Sequence, residues 1–267
     1  MRKHITGFSN PTVKYLRSLR DKKHRKRAGQ FLVEGLRLLE DARAGGRLPQ
    51  TLVMAEGRAP HELLARLEAE VVTAGGEVIV TTPDILSKIT GKDNAQIVAG
   101  VFDEWDTALG GLDRSAAPIW LVAQALRDPG NLGTMLRTCD AVSAGGLILI
   151  DDCADPFSAE AVRASMGAVF TVGLAQARWE EFLPWLRARE GQLVAASLRD
   201  AVPYRGAAYK APCFILVGNE SQGLPEDYEA VCDLRVTMPM KGRADSLNAA
   251  VAGAVLAYEV LAALEAA

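Results

Sequence analysis

Three segments in the second half of the chain place small and polar residues where a strand or loop gives way to a helix. In RDPGNLGTMLRTCDA (127–141), Gly130 and Gly133 permit close backbone approach and Asn131 can hydrogen-bond locally. Arg137 lies one helical turn beyond Gly133, so the two can share a face. In FILVGNESQGLPEDY (214–228), an apolar run ends at Gly218 and is followed at once by Asn219 and Glu220. A charge directly after a buried strand sits at the carboxyl end of a sheet, where α/β proteins hold their ligands. In VTMPMKGRADSLNAAVAGAVLAYE (236–259), Pro239 and Gly242 shape a loop, Ser246 can cap the helix that follows, and Asn248 falls in its first turn. Taken alone, the first segment reads more readily as an ordinary strand–helix turn with a surface arginine, the second reads as well as a polar turn before a helix, and the third also fits a loop with a capped helix.

Other chemistries are excluded by what is missing. No GxGxxG follows a strand, and GNESQGL lacks the Gly-Lys-Ser/Thr ending of a P-loop. Neither a GxSxG elbow nor HExxH occurs. Histidines stand only at 4, 24 and 61, so a histidine-based triad in the second half is impossible. The four cysteines, at 139, 153, 213 and 232, have no Cys-x-x-Cys spacing. The expectation is therefore no metal site, no disulfide framework, and reduced thiols in the cytoplasm.

These segments need elements to hold them. In the first half, 12–27 reads as one basic helix whose Val13, Leu16 and Leu19 are spaced to dock. Strands follow at 31–35, 51–55, 77–82 and 95–102, with helices to about 43 and over 60–72 and 83–89. The polar stretch DEWDTALGGLDRSAAP (103–118) fits a linker. A second series has strands at 119–124, 146–151, near 169–173, 192–197, 213–218 and 234–238. Its helices fall at about 130–144, near 158–164, and over 179–189 and 246–264. CFILVG is apolar enough that both its faces must be covered. Alternation of strand and helix makes both halves α/β. The boundaries follow as a first domain over 1–105, a linker over 106–118 and a second domain over 119–267.

With 49% hydrophobic and 24% charged residues, the 267-residue chain has the composition of a folded soluble protein long enough for two domains. The amino terminus has no apolar stretch of signal-peptide length. Asn248 and Glu259 interrupt the longest apolar segment, 247–264, which reads as a buried helix rather than a membrane span. Charge is distributed unevenly. Residues 1–30 hold ten Lys or Arg and one acid, leaving −12 on the remainder against a total of −3. A lysine-rich solvated helix would look the same, but such asymmetry also marks a polyanion-facing segment. Phosphate contacts would then use Lys14, Arg17, Arg20, Lys22, Lys23, Arg25, Lys26 and Arg27.

In this order and spacing, DPGNLGTMLRT, LVGNESQGL and MPMKGRADSLNAA resemble the signatures of the SpoU (TrmH-like) family of RNA ribose methyltransferases. The resemblance covers essentially all of 119–260 and includes RASMGAVF (163–170). KHRKRAGQFLVEGLRLLEDA (23–42) is similar to the substrate-binding domain that precedes many such catalytic domains. The departures are mild: Cys139 stands where small residues are common, and Val142-Ser143-Ala144 replaces an Ala-Phe-Gly-like stretch. The resemblance implies a parallel-sheet catalytic domain with a deep trefoil knot, S-adenosyl-L-methionine as methyl donor, and a homodimer with the active site at the subunit interface. It places Asn131, Arg137, Glu220, Ser246 and Asn248 in catalysis. By position, Leu216, Val217, Gly218, Asn219, Met238, Met240, Ser246 and Leu247 would hold the donor. Glu220 and Asn131 would orient Arg137, which would hold a phosphate or stabilise a developing alkoxide. The implied acceptor is a ribose 2′-hydroxyl of RNA, ribosomal RNA before transfer RNA, with no role for DNA or membrane. A transfer-RNA enzyme and a non-catalytic RNA-binding protein on the same scaffold are the alternatives.

Overall fold

The computed structural model describes residues 2–57, 59, 61–93, 96–219 and 222–266. They form two compact units, one of 1–105 with 157–171 and one of 106–156 with 172–267.

The first unit runs β1 (Arg2–Ile5), α1 (Pro11–Ser18), α2 (Lys22–Ala28), β2 (Gln30–Glu34), α3 (Leu36–Ala44), β3 (Thr51–Ala55), α4 (Glu62–Thr73), β4 (Glu77–Thr81), α5 (Pro83–Thr90) and β5 (Val98–Asp103). Its sheet has the order β1-β4-β3-β5-β2. β1, β4 and β3 are parallel, and β5 is antiparallel to both its neighbours. β1 was not anticipated because RKHI is polar; it is an edge strand with only Ile5 buried. The expected single basic helix is two helices. Asp21 ends it, its carboxylate accepting the backbone N–H groups of Lys23 (2.8 Å) and His24 (3.3 Å) as the cap of α2. Val13, Leu16 and Leu19 dock as their spacing requires, into a core with Ile85, Leu86 and Ile89 of α5.

The stretch 157–171 adds a short helix, Ala159–Ala164, capped by the Ser158 hydroxyl and packed on β2. Phe157 and Phe170 join Phe31, Phe102 and Trp105 in one aromatic cluster. Ala168, Val169 and Phe170 are buried in succession in a 3₁₀ turn, so the strand expected near 169–173 begins only at Gly173.

The second unit contains β6 (Ile119–Gln124), α6 (Pro129–Ala141) and β7 (Gly146–Ile150); the helix Ala159–Ala164 of the first unit is α7. Then come β8 (Gly173–Ala177), α8 (Trp179–Arg187), β9 (Gln192–Ala196), β10 (Val202–Pro203), β11 (Cys213–Val217), α9 (Glu226–Ala230), β12 (Leu234–Thr237) and α10 (Ala249–Glu265). The sheet order is β10-β12-β9-β11-β6-β7-β8, with every pairing parallel. β11 is buried along its whole length, as its composition demands. From β6 the chain moves through β7 to the β8 edge, then returns to β9 and β11 on the other side. The order therefore reverses between β6 and β11. Residues 106–118 are packed rather than free. Leu109 is buried, and the guanidinium of Arg114 donates to the carbonyls of Leu186 (2.7 Å), Arg189 (3.1 Å) and Glu190 (2.7 Å) at the end of α8.

Among the described residues no helix is long and apolar enough to cross a membrane, and no cluster of potential metal ligands occurs. All four cysteines are free thiols; Cys139 and Cys213 are buried. Burial pushes Cys153 up to about 11, and Cys213 and Cys232 up to about 12.

Candidate active site

The site begins at the end of β6. Ala125 adopts a positive φ of 48°, and its carbonyl accepts a 2.9 Å bond from the Asn219 amide, tying the loop after β11 to the loop before α6. Asp128 caps α6, accepting the Asn131 backbone N–H at 2.6 Å. The Asn131 side-chain oxygen in turn accepts a 2.9 Å bond from the Asn248 amide, 117 positions away. The other side of the Asn248 amide caps α10, accepting from the backbone N–H groups of Ala250 (3.0 Å) and Val251 (3.2 Å). One side chain thus starts one helix and ties it to the start of another.

Two expectations need correcting here. The cap of α10 is Asn248, not Ser246, and the helix begins at Ala249. Asparagine at this position has an oxygen for the helix and a separate amide nitrogen that reaches Asn131. The Ser246 hydroxyl instead donates to Asp245 at 3.2 Å.

Beside these contacts lies a cavity of about 400 Å³. Val217, Gly218 and Asn219 line it from the end of β11, Met238 and Met240 from the loop after β12, and Ser246 and Leu247 from the approach to α10. Leu216 does not line it; it is buried in the core beneath. Gly218 is needed by geometry. A Cβ there would fall 2.6 Å from the carbonyl carbon of Gly223 and 2.7 Å from the nitrogen of Leu224, both backbone atoms of its own loop.

The structure adds residues the sequence reading passed over. Ser197, Leu198 and Arg199, at the end of β9, also line the cavity. Arg199 bridges Glu226 (3.1 Å) and Glu229 (3.4 Å), and the Glu229 carboxylate is nearly fully buried in the cavity wall. The carboxyl-end rule would have pointed to the end of β9 as it did to that of β11. Glu229 carried no such signal, because the short α9 was not anticipated.

Arg137 stands apart from the cavity. It is exposed on α6, and its side chain forms no hydrogen bond or ion pair among the described residues. Glu220, its expected orienting partner, lies outside the described residues. In the first unit, Lys14, Arg17, Arg20, Lys22, Lys23, Lys26 and Arg27 are exposed. Arg25 is the exception, at 5% exposure, with its guanidinium donating to the carbonyls of Leu19 (3.0 Å) and Arg20 (2.8 Å). It closes the end of α1 rather than facing solvent, which corrects its place among the surface cations.

Residues 118–258 match the model of the SpoU rRNA methylase family. This chain belongs to that family. Residues 10–100 match the MRM3-like substrate binding domain. Along 97% of this SpoU chain and 99% of the relative, it is 30% identical to the 23S rRNA (guanosine(2553)-2′-O)-methyltransferase of Bacillus subtilis. Among solved structures it is similar to an AdoMet-bound rRNA methyltransferase from Sinorhizobium meliloti, with 39% identity, 98% of both chains covered and a TM-score of 0.92. It is also similar to the AdoMet complex of the SpoU methyltransferase AviRb from Streptomyces viridochromogenes, at 27% identity, with 96% of this chain and 98% of that chain covered and a TM-score of 0.87.

Proposed function

We propose that this protein methylates a ribose 2′-hydroxyl of ribosomal RNA, with S-adenosyl-L-methionine as donor. The observation that carries the reading is the cavity where the ends of β9, β11 and β12 meet, next to the Asn131–Asn248 bond. A volume of about 400 Å³ suits a ligand of nucleoside size. The donor's chemistry fits the lining. Val217, Met238, Met240 and Leu247 offer apolar surface, Ser246 and Asp245 offer polar atoms, and Gly218 lets backbone come close. When bound, S-adenosyl-L-methionine supplies an electrophilic methyl group that needs no metal for activation.

What remains for the chain is orientation, which supplies up to roughly 7–11 kcal/mol in well-aligned reactions. Asn131 and Asn248 fix the starts of α6 and α10 relative to one another. A guanidinium does not readily give up its proton, so Arg137 is assigned to a backbone phosphate or the developing alkoxide rather than to proton removal. The first unit is assigned to RNA binding, supported by its seven exposed cations between 14 and 27 and by the family match over 10–100.

The protein works as a homodimer on this reading. Val251 and Tyr258 of α10 are 47% and 54% exposed, large apolar surface that a second copy would cover. Arg137, outside the cavity of its own chain, would meet the donor of the partner. The trefoil knot belongs to the same reading; its support is the return of β12 to the side of β9 and of α10 against β6 and β11. On this reading the protein works in the cytoplasm, which its free thiols support.

The test is to incubate the purified protein with methyl-labelled donor and either deproteinised 23S ribosomal RNA or bulk transfer RNA. Modified nucleotides are then mapped by mass spectrometry. A single 2′-O-methylated nucleotide in 23S RNA is the expected result. Transfer only to transfer RNA, methylation of a base, or no donor binding by calorimetry overturns the proposal.

A further inference from the structure

The first unit holds a second, smaller cavity of about 50 Å³, where three separated stretches of chain bring cations together. Arg20 follows α1, Lys92 follows α5, and Arg163 comes from the last turn of α7. The Arg20 guanidinium lies directly over Gly91, where a Cβ would fall 2.1 Å from its central carbon, so the glycine leaves room for it. Lys92 pairs with Glu34 at 2.8 Å. Arg20 and Arg163 form no ion pair among the described residues, and both are exposed. Arg25 lines the cavity as well, its guanidinium spent on the carbonyls of Leu19 and Arg20.

Four cations against one carboxylate, Glu34, leave this cavity strongly positive. Leu32, Leu38 and Val162 form low-dielectric walls that focus the field on its mouth. Arg25 takes up the carbonyls of Leu19 and Arg20, just beyond α1, so those acceptors do not compete for the neighbouring cations. The volume admits a few water-sized groups, enough for the oxygens of one phosphate and too little for a base.

We infer that this cavity docks one backbone phosphate of the RNA substrate, held between Arg163 and Arg20 with Lys92 alongside. The inference rests on RNA being the substrate and adds to that reading a defined contact outside residues 1–30. It also gives the stretch 157–171 a purpose beyond packing. That stretch is encoded between β7 and β8 of the catalytic sheet, yet it delivers a cation to the RNA-binding unit.

The experiment measures binding of fluorescently labelled, deproteinised 23S ribosomal RNA to the full-length protein across a series of KCl concentrations. Arg163→Gln and Arg20→Gln are compared with wild type, and Arg66→Gln, a cation of α4 outside this cavity, is the control. Loss of one phosphate contact lowers the slope of log K against log salt by about 0.7–0.9, which is a five- to eightfold weaker complex at about 0.1 M salt. That change is expected for Arg163→Gln and Arg20→Gln and not for Arg66→Gln. Donor affinity and the melting temperature should stay at wild-type values for Arg163→Gln, whose side chain is exposed. Unchanged slope and affinity in Arg163→Gln, with wild type binding normally, overturns the inference alone. Absence of salt-dependent RNA binding by wild type overturns the functional reading and the inference with it.

Discussion

The bond between Asn131 and Asn248 joins two segments that the chain separates by more than a hundred residues, and its energy is measurable by a double-mutant cycle. Asn248→Ala removes both the α10 cap and the cross-link. The cap is worth about 1 kcal/mol. The bond lies at the surface, so its net worth is about 0.5–1 kcal/mol, the lower part of the usual range. Asn248→Ala should therefore cost about 1.5–2 kcal/mol, and Asn131→Ala about 0.5–1 kcal/mol. The double variant should cost less than the sum of the two single variants, because the bond can be lost only once. The coupling expected is thus about 0.5–1 kcal/mol, above the roughly 0.3 kcal/mol within which independent sites add. Urea unfolding followed by tryptophan fluorescence reads mainly the relevant unit, since three of the four tryptophans, Trp120, Trp179 and Trp185, belong to it. Methyl transfer should fall in both single variants, and the loss in the double should be smaller than the product of the two. Strict additivity in stability, together with independent losses of activity, would show that the two helix starts are not held by each other.

Other expectations follow from the same geometry. Gly218→Ala forces the 218–224 loop to move, because the new Cβ meets backbone; overpacking of this kind costs about 1–3 kcal/mol. Donor affinity measured by calorimetry should drop at least fivefold, and wild-type affinity would mean the loop is not part of the donor site. Arg137→Ala should abolish methyl transfer while leaving donor affinity within twofold, since its assigned role is at the phosphate or developing alkoxide of the acceptor and not in holding the donor; near-normal turnover would remove it from catalysis. Burial alone would raise the Asp233 carboxyl, but the bonds from Arg187 (2.8 Å) and the Leu193 N–H (2.7 Å) hold it below its ordinary value. It therefore adds stability above the ordinary carboxylate pKa, and that stability is lost as pH falls through the lowered value. Asp233→Asn should flatten the acid limb of the stability curve, and an unchanged limb between about pH 5 and 2 would contradict this.

Much of this molecule is legible in one dimension because its signals are local. The apolar runs at 119–124, 146–150 and 213–217 could only be covered strands, and the spacing of Val13, Leu16 and Leu19 could only be a docking face. The three polar segments announce themselves by glycine, asparagine and arginine at turns, and seven of the eight expected donor contacts line one cavity. What the residues could not announce is whatever depends on partners distant in sequence. Asp21 splits a helix that its basic composition would continue, because a carboxylate can accept two N–H groups there. Asn248 rather than Ser246 starts α10, because an amide offers a second bonding group and Asn131 lies where it can be used. Arg25 reads as one more surface cation, yet the end of α1 takes it up. Residues 157–171 read as part of the catalytic half, and only burial of Phe157 and Phe170 among the aromatics of β2 and β5 puts them with the first unit. Periodicity encodes which face of an element is apolar; which element meets that face is set by the energy of packing them all at once.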